Sequence, residues 1–274
     1  TCLSGAALHW LLSPDPAYLS YVVHEPDHLH ASLLALPERR LSAAELELLE
    51  HDGVLFVPRL IADSNILDSI TQTMGESALS GVSNTNHWTT NGALRALVRD
   101  GPLGSLAASA LRADAVRLFV GKIFQKGGTL NGSSRGPVVR PDRYHSDEHG
   151  REGTATPQQL VIWLALTNSP LAVEFLIGSH RFGHSCSYAF SDSFTDSVNQ
   201  SCMDINYARN LSLWRSSQGG SGEVKVVQSL AAGDAVLFYG RTWHRGWHRE
   251  EARIGFATRF FEDGYLWAGH ATMV

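Results

Sequence analysis

Tyr144-His145-Ser146-Asp147 sets a histidine and an aspartate two residues apart. On an extended backbone, side chains two apart point the same way. The two groups can therefore grip one metal ion from one side. A second histidine has to come from far along the chain. His244 is the candidate, at the end of Ala232-Gly233-Asp234-Ala235-Val236-Leu237-Phe238-Tyr239-Gly240-Arg241-Thr242-Trp243-His244. Two histidines and one carboxylate on one face, with open positions opposite, form a donor set suited to Fe(II). Alone the triplet is a weak signal, and the segments around it carry the argument.

Outward from the triplet the chain reads as strands. Val116–Ile123, Leu160–Thr167, Val173–Ile177, Val224–Val227, Asp234–Tyr239 and Ile254–Phe261 are short and rich in β-branched and aromatic residues. Residues 126–142 read as loop, given their Gly and Pro. Upstream, Ser42 is placed to N-cap a helix, with Glu45 at the capping-box position and Leu46, Leu48 and Leu49 apolar. His51-Asp52-Gly53 ends that helix, and Val54-Leu55-Phe56-Val57-Pro58 reads as a strand. A second helix is expected over residues 63–75, with Ile66, Leu67, Ile70 and Met74 near helical spacing, and a third over 103–112. Short β segments with supporting helices predict a mainly β fold, a sandwich or jelly roll with flanking helices. Residues 1–41 read as an N-terminal arm and residues 42–274 as one domain. Residues 183–222 form a long polar connection with scattered aromatics, a length that is usually functional or mobile inside a compact domain.

Composition narrows the function classes. The chain has 274 residues, 43% of them hydrophobic, which supports a full core. Its net charge of −5 and the lack of a basic patch argue against nucleic acid. Three cysteines, at positions 2, 186 and 202, argue against a disulfide framework and fit a reducing compartment. The N-terminal apolar run around Ala6–Leu12 is short and lacks a basic flank, so neither a signal peptide nor a membrane span is expected. A cytoplasmic protein follows as the expectation, with a homodimer allowed.

A second metal reading competes. His145-Ser146-Asp147-Glu148-His149 also fits H-x-x-E-H, a zinc-hydrolase signature, and His244 and His248 repeat the spacing. That chemistry needs both histidines on one helical face. Pro141 precedes the segment, and Gly150, Gly153 and Pro157 follow it, so a sufficient helix is not expected. His149 and His248 read as solvated loop histidines, and His248-Arg249-Glu250 has no later block to complete it.

Three blocks now line up in order. Tyr144-His145-Ser146-Asp147 comes first. Trp163-Leu164-Ala165-Leu166-Thr167 and Ile177-Gly178-Ser179-His180 come next. Ala232 to His244 follows, and then Arg253. This order and spacing resembles the phytanoyl-CoA dioxygenase family of Fe(II)/2-oxoglutarate oxygenases, over about residues 42–262. His51-Asp52-Gly53-Val54-Leu55-Phe56-Val57-Pro58 also looks like that family's first helix and strand. The resemblance implies a double-stranded β-helix, a cupin-like jelly roll, with iron held by His145, Asp147 and His244. It implies that Arg253 pairs with the distal carboxylate of 2-oxoglutarate, that Trp163 lines that cosubstrate, and that His180 is structural. The chain departs from the family where Pro170-Leu171 replaces the usual Asn-Gly, where Ile177 replaces a Pro, and at Gly246, where some members carry a hydroxyl that binds cosubstrate.

The residues themselves agree. A dicarboxylate needs a fixed cation, and a guanidinium offers a bidentate fork. Arg253, Gly255, Ala257 and Arg259 share one face of their strand, where small neighbours leave room beside Arg253. Arg259 reads as a surface ion pair, and Trp163 also suits plain core. Trp243, Trp247 and Phe194 are candidate substrate contacts, with residues 183–222 and Arg245–Glu251 as loops over the open rim. The expected function is an Fe(II)/2-oxoglutarate-dependent dioxygenase acting with O₂ on a small, largely apolar metabolite, in secondary metabolism. Hydroxylation is the default outcome, with desaturation or cyclisation open to the same residues. The alternatives are a β-barrel binding protein without catalysis and a zinc hydrolase.

Overall fold

The computed structural model describes residues 36–79, 86, 88, 92–99, 101–126, 140–141, 145–147, 158–181, 224–248 and 253–262. Helix α1 (Ala43–Asp52) starts as its sequence requires. The Glu45 N–H donates to Ser42 Oγ at 3.3 Å, and the Ser42 N–H donates to Glu45 Oε2 at 2.8 Å. This reciprocal capping box satisfies donors that the helix ladder leaves open. Helix α1 ends on Gly53, which adopts φ +77° and donates its N–H to the Leu49 carbonyl. Strand β1 (Val54–Val57) leaves at once from that turn.

Helices α2 (Ser64–Leu79), α3 (Gly92–Arg99) and α4 (Pro102–Leu111) follow. The strands then run β2 (Val116–Lys126), β3 (Arg140–Pro141), β4 (Gln159–Ala165), β5 (Ser169–Leu176), β6 (Val224–Leu230), β7 (Ala235–Tyr239), β8 (His244–His248) and β9 (Arg253–Glu262). They form a five-stranded sheet in the order β1-β7-β4-β9-β2 and a four-stranded sheet in the order β3-β8-β5-β6. The pairings are antiparallel, as in a jelly roll.

Alternation along the strands divides the apolar residues into two cores. Leu160, Ile162, Leu164, Leu237, Phe256 and Phe260 turn to one side of the larger sheet and pack with Leu97, Leu103 and Leu106 of the helices. Val161, Trp163, Phe238 and Ala257 turn to the other side, where they meet Val173 and Phe175 of the smaller sheet. Helix α4 lies against β4, β9 and β2. The helices thus back one sheet, and the space between the sheets is left for a site.

Several expectations shift at their edges. Strand β2 runs three residues past Ile123, to Lys126, because Lys126 pairs with Arg253 of β9. Helix α3 was not expected from the sequence, yet Leu94, Ala96, Leu97 and Val98 are all buried. Strand β5, expected from Val173, starts at Ser169 and includes Pro170, with a register shift between Pro170 and Val173. Arg245–His248, expected as a loop on the rim, is strand β8, paired to both β5 and β3. Residues 1–35 of the expected arm, and all of 183–222, lie outside the described residues, as do the side chains of Met74 and Trp247. Residues 36–41 are described, and the Arg39 and Leu41 N–H groups donate to Ser105 and Ser109 of α4. Among the described residues no helix is long and apolar enough to cross a membrane.

A Cβ at Gly53 would collide with the His180 imidazole, and the positive φ disfavours side chains as well. Gly53→Ala should lower unfolding free energy by more than about 2 kcal/mol, because a left-handed penalty of about 1–2 kcal/mol adds to the collision. Urea unfolding read by circular dichroism checks this, and an unchanged midpoint would overturn it.

Candidate metal centre

The triad is assembled by backbone pairing before any side chain is considered. His145 and His244 form an antiparallel bridge. Each donates its N–H to the other's carbonyl at 2.9 Å. Two residues on, the Asp147 N–H donates to the Gly240 carbonyl at 2.8 Å. Residues 145–147 are therefore extended, so His145 and Asp147 project the same way, and His244 is brought beside them.

The side chains complete the arrangement. The two imidazole centroids are 4.4 Å apart. His244 Nε2 lies 3.8 Å from Asp147 Oδ2. One ligand atom from each of His145, Asp147 and His244 can be chosen so that all lie within 4.8 Å of one another. Ligand atoms bonded at about 2.0–2.2 Å to one ion stand at most about 4.4 Å apart, so the His244–Asp147 separation suits a shared ion.

His244 is oriented on its other side. Its Nδ1–H donates to the Thr242 carbonyl at 3.0 Å, which turns the Nε2 lone pair toward Asp147. The loop that carries it is tied down twice. Thr242 Oγ1 donates to the Gly53 carbonyl at 2.7 Å, and the Trp243 N–H donates to Ser179 Oγ at 2.9 Å. His180, in the short turn Ser179–Arg181, donates from Nε2 to the Glu50 carbonyl at 3.1 Å. The end of α1, the Ser179–Arg181 turn and the His244 loop are thus one connected unit. His180 has the structural place that the resemblance implies.

Burial decides the protonation of these histidines. Desolvation and the adjacent His145 push His244 down to about 4, against the pull of Asp147. His180 is also lowered, chiefly by burial. A neutral imidazole offers a lone pair to a metal. Phe238 lies 4.6 Å and Phe175 5.9 Å from the His244 ring, so the wall behind it is apolar.

The inward face of β9 carries two further charged groups. Arg253 is only 5% exposed, and its Nη1 donates to the Pro170 carbonyl at 3.4 Å. Gly255 is filled by the Trp163 ring, which a Cβ there would strike. Ala257 joins Trp163 in the inner core. Arg259 does not make the surface pair expected for it. Its Nη2 donates to Asp147 Oδ1 at 2.7 Å, inside the site. Six residues of strand separate the Cα atoms of the two arginines by about 20 Å, so they serve different ends of the space between the sheets.

Other candidates fall as follows. Trp163 is buried over Gly255, on the path between the triad and Arg253. Trp243 is buried at 5% exposure, while the Trp247 side chain and Phe194 lie outside the described residues. Residues 145–147 are bridged and extended and not helical, and Glu148 and His149, which the zinc-hydrolase reading also needs, lie outside the described residues. Sequence reasoning missed Thr242 and Gln159. Gln159 is 1% exposed, its amide atoms lack partners among the described residues, and it lies against Gly240, whose carbonyl holds Asp147. A glutamine at the first position of a hydrophobic strand was the available signal.

No protein-family model matches the sequence, and no curated protein matches it. Solved structures do match. The non-heme alpha ketoglutarate dependent carbocyclase SnoK from nogalamycin biosynthesis is 17% identical, with a TM-score of 0.59 over 82% of this chain and 87% of that one. The non-heme alpha ketoglutarate dependent epimerase SnoN from the same biosynthesis is 18% identical, with a TM-score of 0.57 over 88% of each chain. EctD from S. alaskensis, crystallised with 2-oxoglutarate and 5-hydroxyectoine, is 13% identical, with a TM-score of 0.58 over 84% of this chain and 80% of that one. The chain shares the jelly-roll fold of these enzymes.

The two lowered histidines set a pH dependence for the metal-free protein. Below their ordinary value of 6.5 the unfolded chain takes up protons that folded His244 refuses until about pH 4. Their contribution to stability is complete above pH 6.5 and is lost as pH falls below it, for His244 down to about 4. Urea unfolding of metal-free protein should therefore show falling stability from pH 7 to pH 5, with a shallower fall in His180→Asn. An equal slope in the variant would remove His180 from this account.

Proposed function

We propose that this chain is an Fe(II)/2-oxoglutarate-dependent dioxygenase of the phytanoyl-CoA dioxygenase type, acting on a small, largely apolar metabolite. The convergence of His145, Asp147 and His244 carries this reading. Two imidazoles and a carboxylate on one side of a site suit Fe(II) and leave positions opposite for other ligands. Bound iron, with 2-oxoglutarate and O₂, supplies the oxidation of a carbon–hydrogen bond.

The chain's own residues supply placement and environment. The His145–His244 bridge sets the spacing of two ligands, and Thr242 sets the tautomer of one. Arg253, buried at the far end of β9, is the cation for the distal carboxylate of 2-oxoglutarate. Trp163 fills the space over Gly255 and forms one wall of that path. Phe175, Phe238 and Val173 keep water from the triad's apolar side. Trp243, Trp247 and Phe194 are the proposed substrate contacts. The resemblance of the ordered blocks supports the subfamily, and the solved neighbours from nogalamycin biosynthesis fit a role in secondary metabolism. A cytoplasmic setting agrees with the sparse cysteines.

Succinate release from 2-oxoglutarate, without any prime substrate, separates a live site from a barrel that only binds. The unmodified chain should show slow Fe(II)-dependent release. His145→Ala, Asp147→Ala and His244→Ala should each abolish it while keeping the native circular dichroism spectrum. Stoichiometric zinc in metal analysis, with activity that survives iron chelation, would sink the reading.

Arg253→Ala removes a buried charged partner, a loss of about 2–5 kcal/mol. The 2-oxoglutarate concentration for half-maximal decarboxylation should rise by roughly 30-fold or more. An unchanged requirement would remove Arg253 from the cosubstrate site.

A further inference from the structure

We propose that Arg259 is a positioning residue for the metal centre: by occupying Oδ1 of Asp147 it leaves Oδ2 to bind the ion. This rests on the reading of His145, Asp147 and His244 as the ligand set, and adds a role for a side chain outside it.

The two oxygens of Asp147 face different partners. Oδ1 accepts from Arg259 Nη2 at 2.7 Å. Oδ2 faces His244 Nε2 at 3.8 Å. A carboxylate can bind a metal through one oxygen or both, and the second mode consumes a coordination position. A guanidinium N–H on Oδ1 competes with that mode and restrains the carboxylate torsion. The bond is charge-assisted and short, so it holds its geometry better than a neutral contact would.

Arg259 is itself well anchored. Its backbone sits in the middle of the larger sheet, paired with Val120 on one side and Val161 on the other. It leaves the inward face of β9 beside Phe238 and Val161, so its reach toward Asp147 is set by the strand ladder. Asp147, in contrast, belongs to an isolated bridge segment and not to a long strand. The rigid element thus orients the group on the less regular one. The pairing also answers an electrostatic need. The Asp147 side chain is 13% exposed and stands 2.7 Å from Arg259, which supplies its counter-charge before an ion arrives.

Two effects of Arg259 on metal affinity oppose each other. Its positive charge repels a cation, which weakens binding. Its grip on Oδ1 presents Oδ2 correctly, which strengthens binding. The second effect is the larger, because outer partners of ligating groups are typically worth about 10–100-fold in metal affinity.

Co(II) binding to the full chain, measured by titration calorimetry and by visible absorption, tests the assignment. Arg259→Gln should weaken Co(II) binding by about 10–100-fold and alter the absorption band of the loaded protein. Arg259→Lys, which keeps the charge, should recover part of the affinity. Melting of the metal-free variants reads the fold separately, and the Lys variant carries the comparison where the Gln variant melts early. Once saturated with metal, both variants should hold 2-oxoglutarate close to wild-type strength. Unchanged or tighter Co(II) binding in Arg259→Gln would overturn the inference, since removal of a repelling charge alone tightens binding. Lost 2-oxoglutarate affinity with intact Co(II) binding would overturn it too, by making Arg259 the cosubstrate anchor. A wild-type chain that binds no Co(II), or that binds it equally well as Asp147→Ala, overturns the ligand set and this inference together.

Discussion

The reciprocal backbone pair between His145 and His244 is the contact on which the rest of the site depends. It joins residues almost a hundred positions apart and sets two imidazoles 4.4 Å from each other. Each such hydrogen bond contributes only about 0.5–1.5 kcal/mol net. The pair holds because the His244 loop is itself fixed, through Thr242 to the Gly53 carbonyl and through Trp243 to Ser179. Gly53 ends helix α1, so the capping of one helix and the geometry of the triad belong to one hydrogen-bonded unit. This gives a physical reason for the tight capping of helix α1, although that helix contributes no side chain to the triad.

Charge is distributed along one strand. Arg259 and Arg253 project from the same face of β9, and each meets an acceptor at its own end of the space between the sheets. Apolar and small side chains lie between them: Ala257, Gly255, and Trp163 from the neighbouring strand. Buried ionised groups are costly without partners. The same logic holds on the outer face of the smaller sheet, where Glu174 is 4% exposed and pairs with Arg245 at 2.8 Å across β5 and β8.

Legibility followed the range of the interactions. The capping box of Ser42 and Glu45 could be read from the sequence because its partners are three residues apart. Strands β4, β7 and β9 could be read because their continuous or alternating apolar residues reflect burial on two faces. Strand β8 could not, since His244-Arg245-Gly246-Trp247-His248 has no apolar alternation and owes its form to β5 and β3. Helix α3 was hidden for a related reason. Its eight residues follow Asn91 and open on Gly92, and only packing against α4 makes its apolar positions useful.

The sequence by itself determined which residues are chemically able to form the site. A two-residue step on extended chain puts His145 and Asp147 on one side, and the resemblance of the ordered blocks points to His244 and Arg253. The sequence also determined the alternation that sends Arg253, Gly255, Ala257 and Arg259 to one face of β9. Tertiary structure alone decided which arginine meets which acceptor. Strand periodicity treats Arg253 and Arg259 alike, whereas the register of β9 against β4 and the Asp147–Gly240 contact deliver Arg259 to Asp147. It also decided that Thr242 orients His244 through a backbone carbonyl. Every residue carries such a carbonyl, so no side-chain pattern can announce which one a distant fold will use.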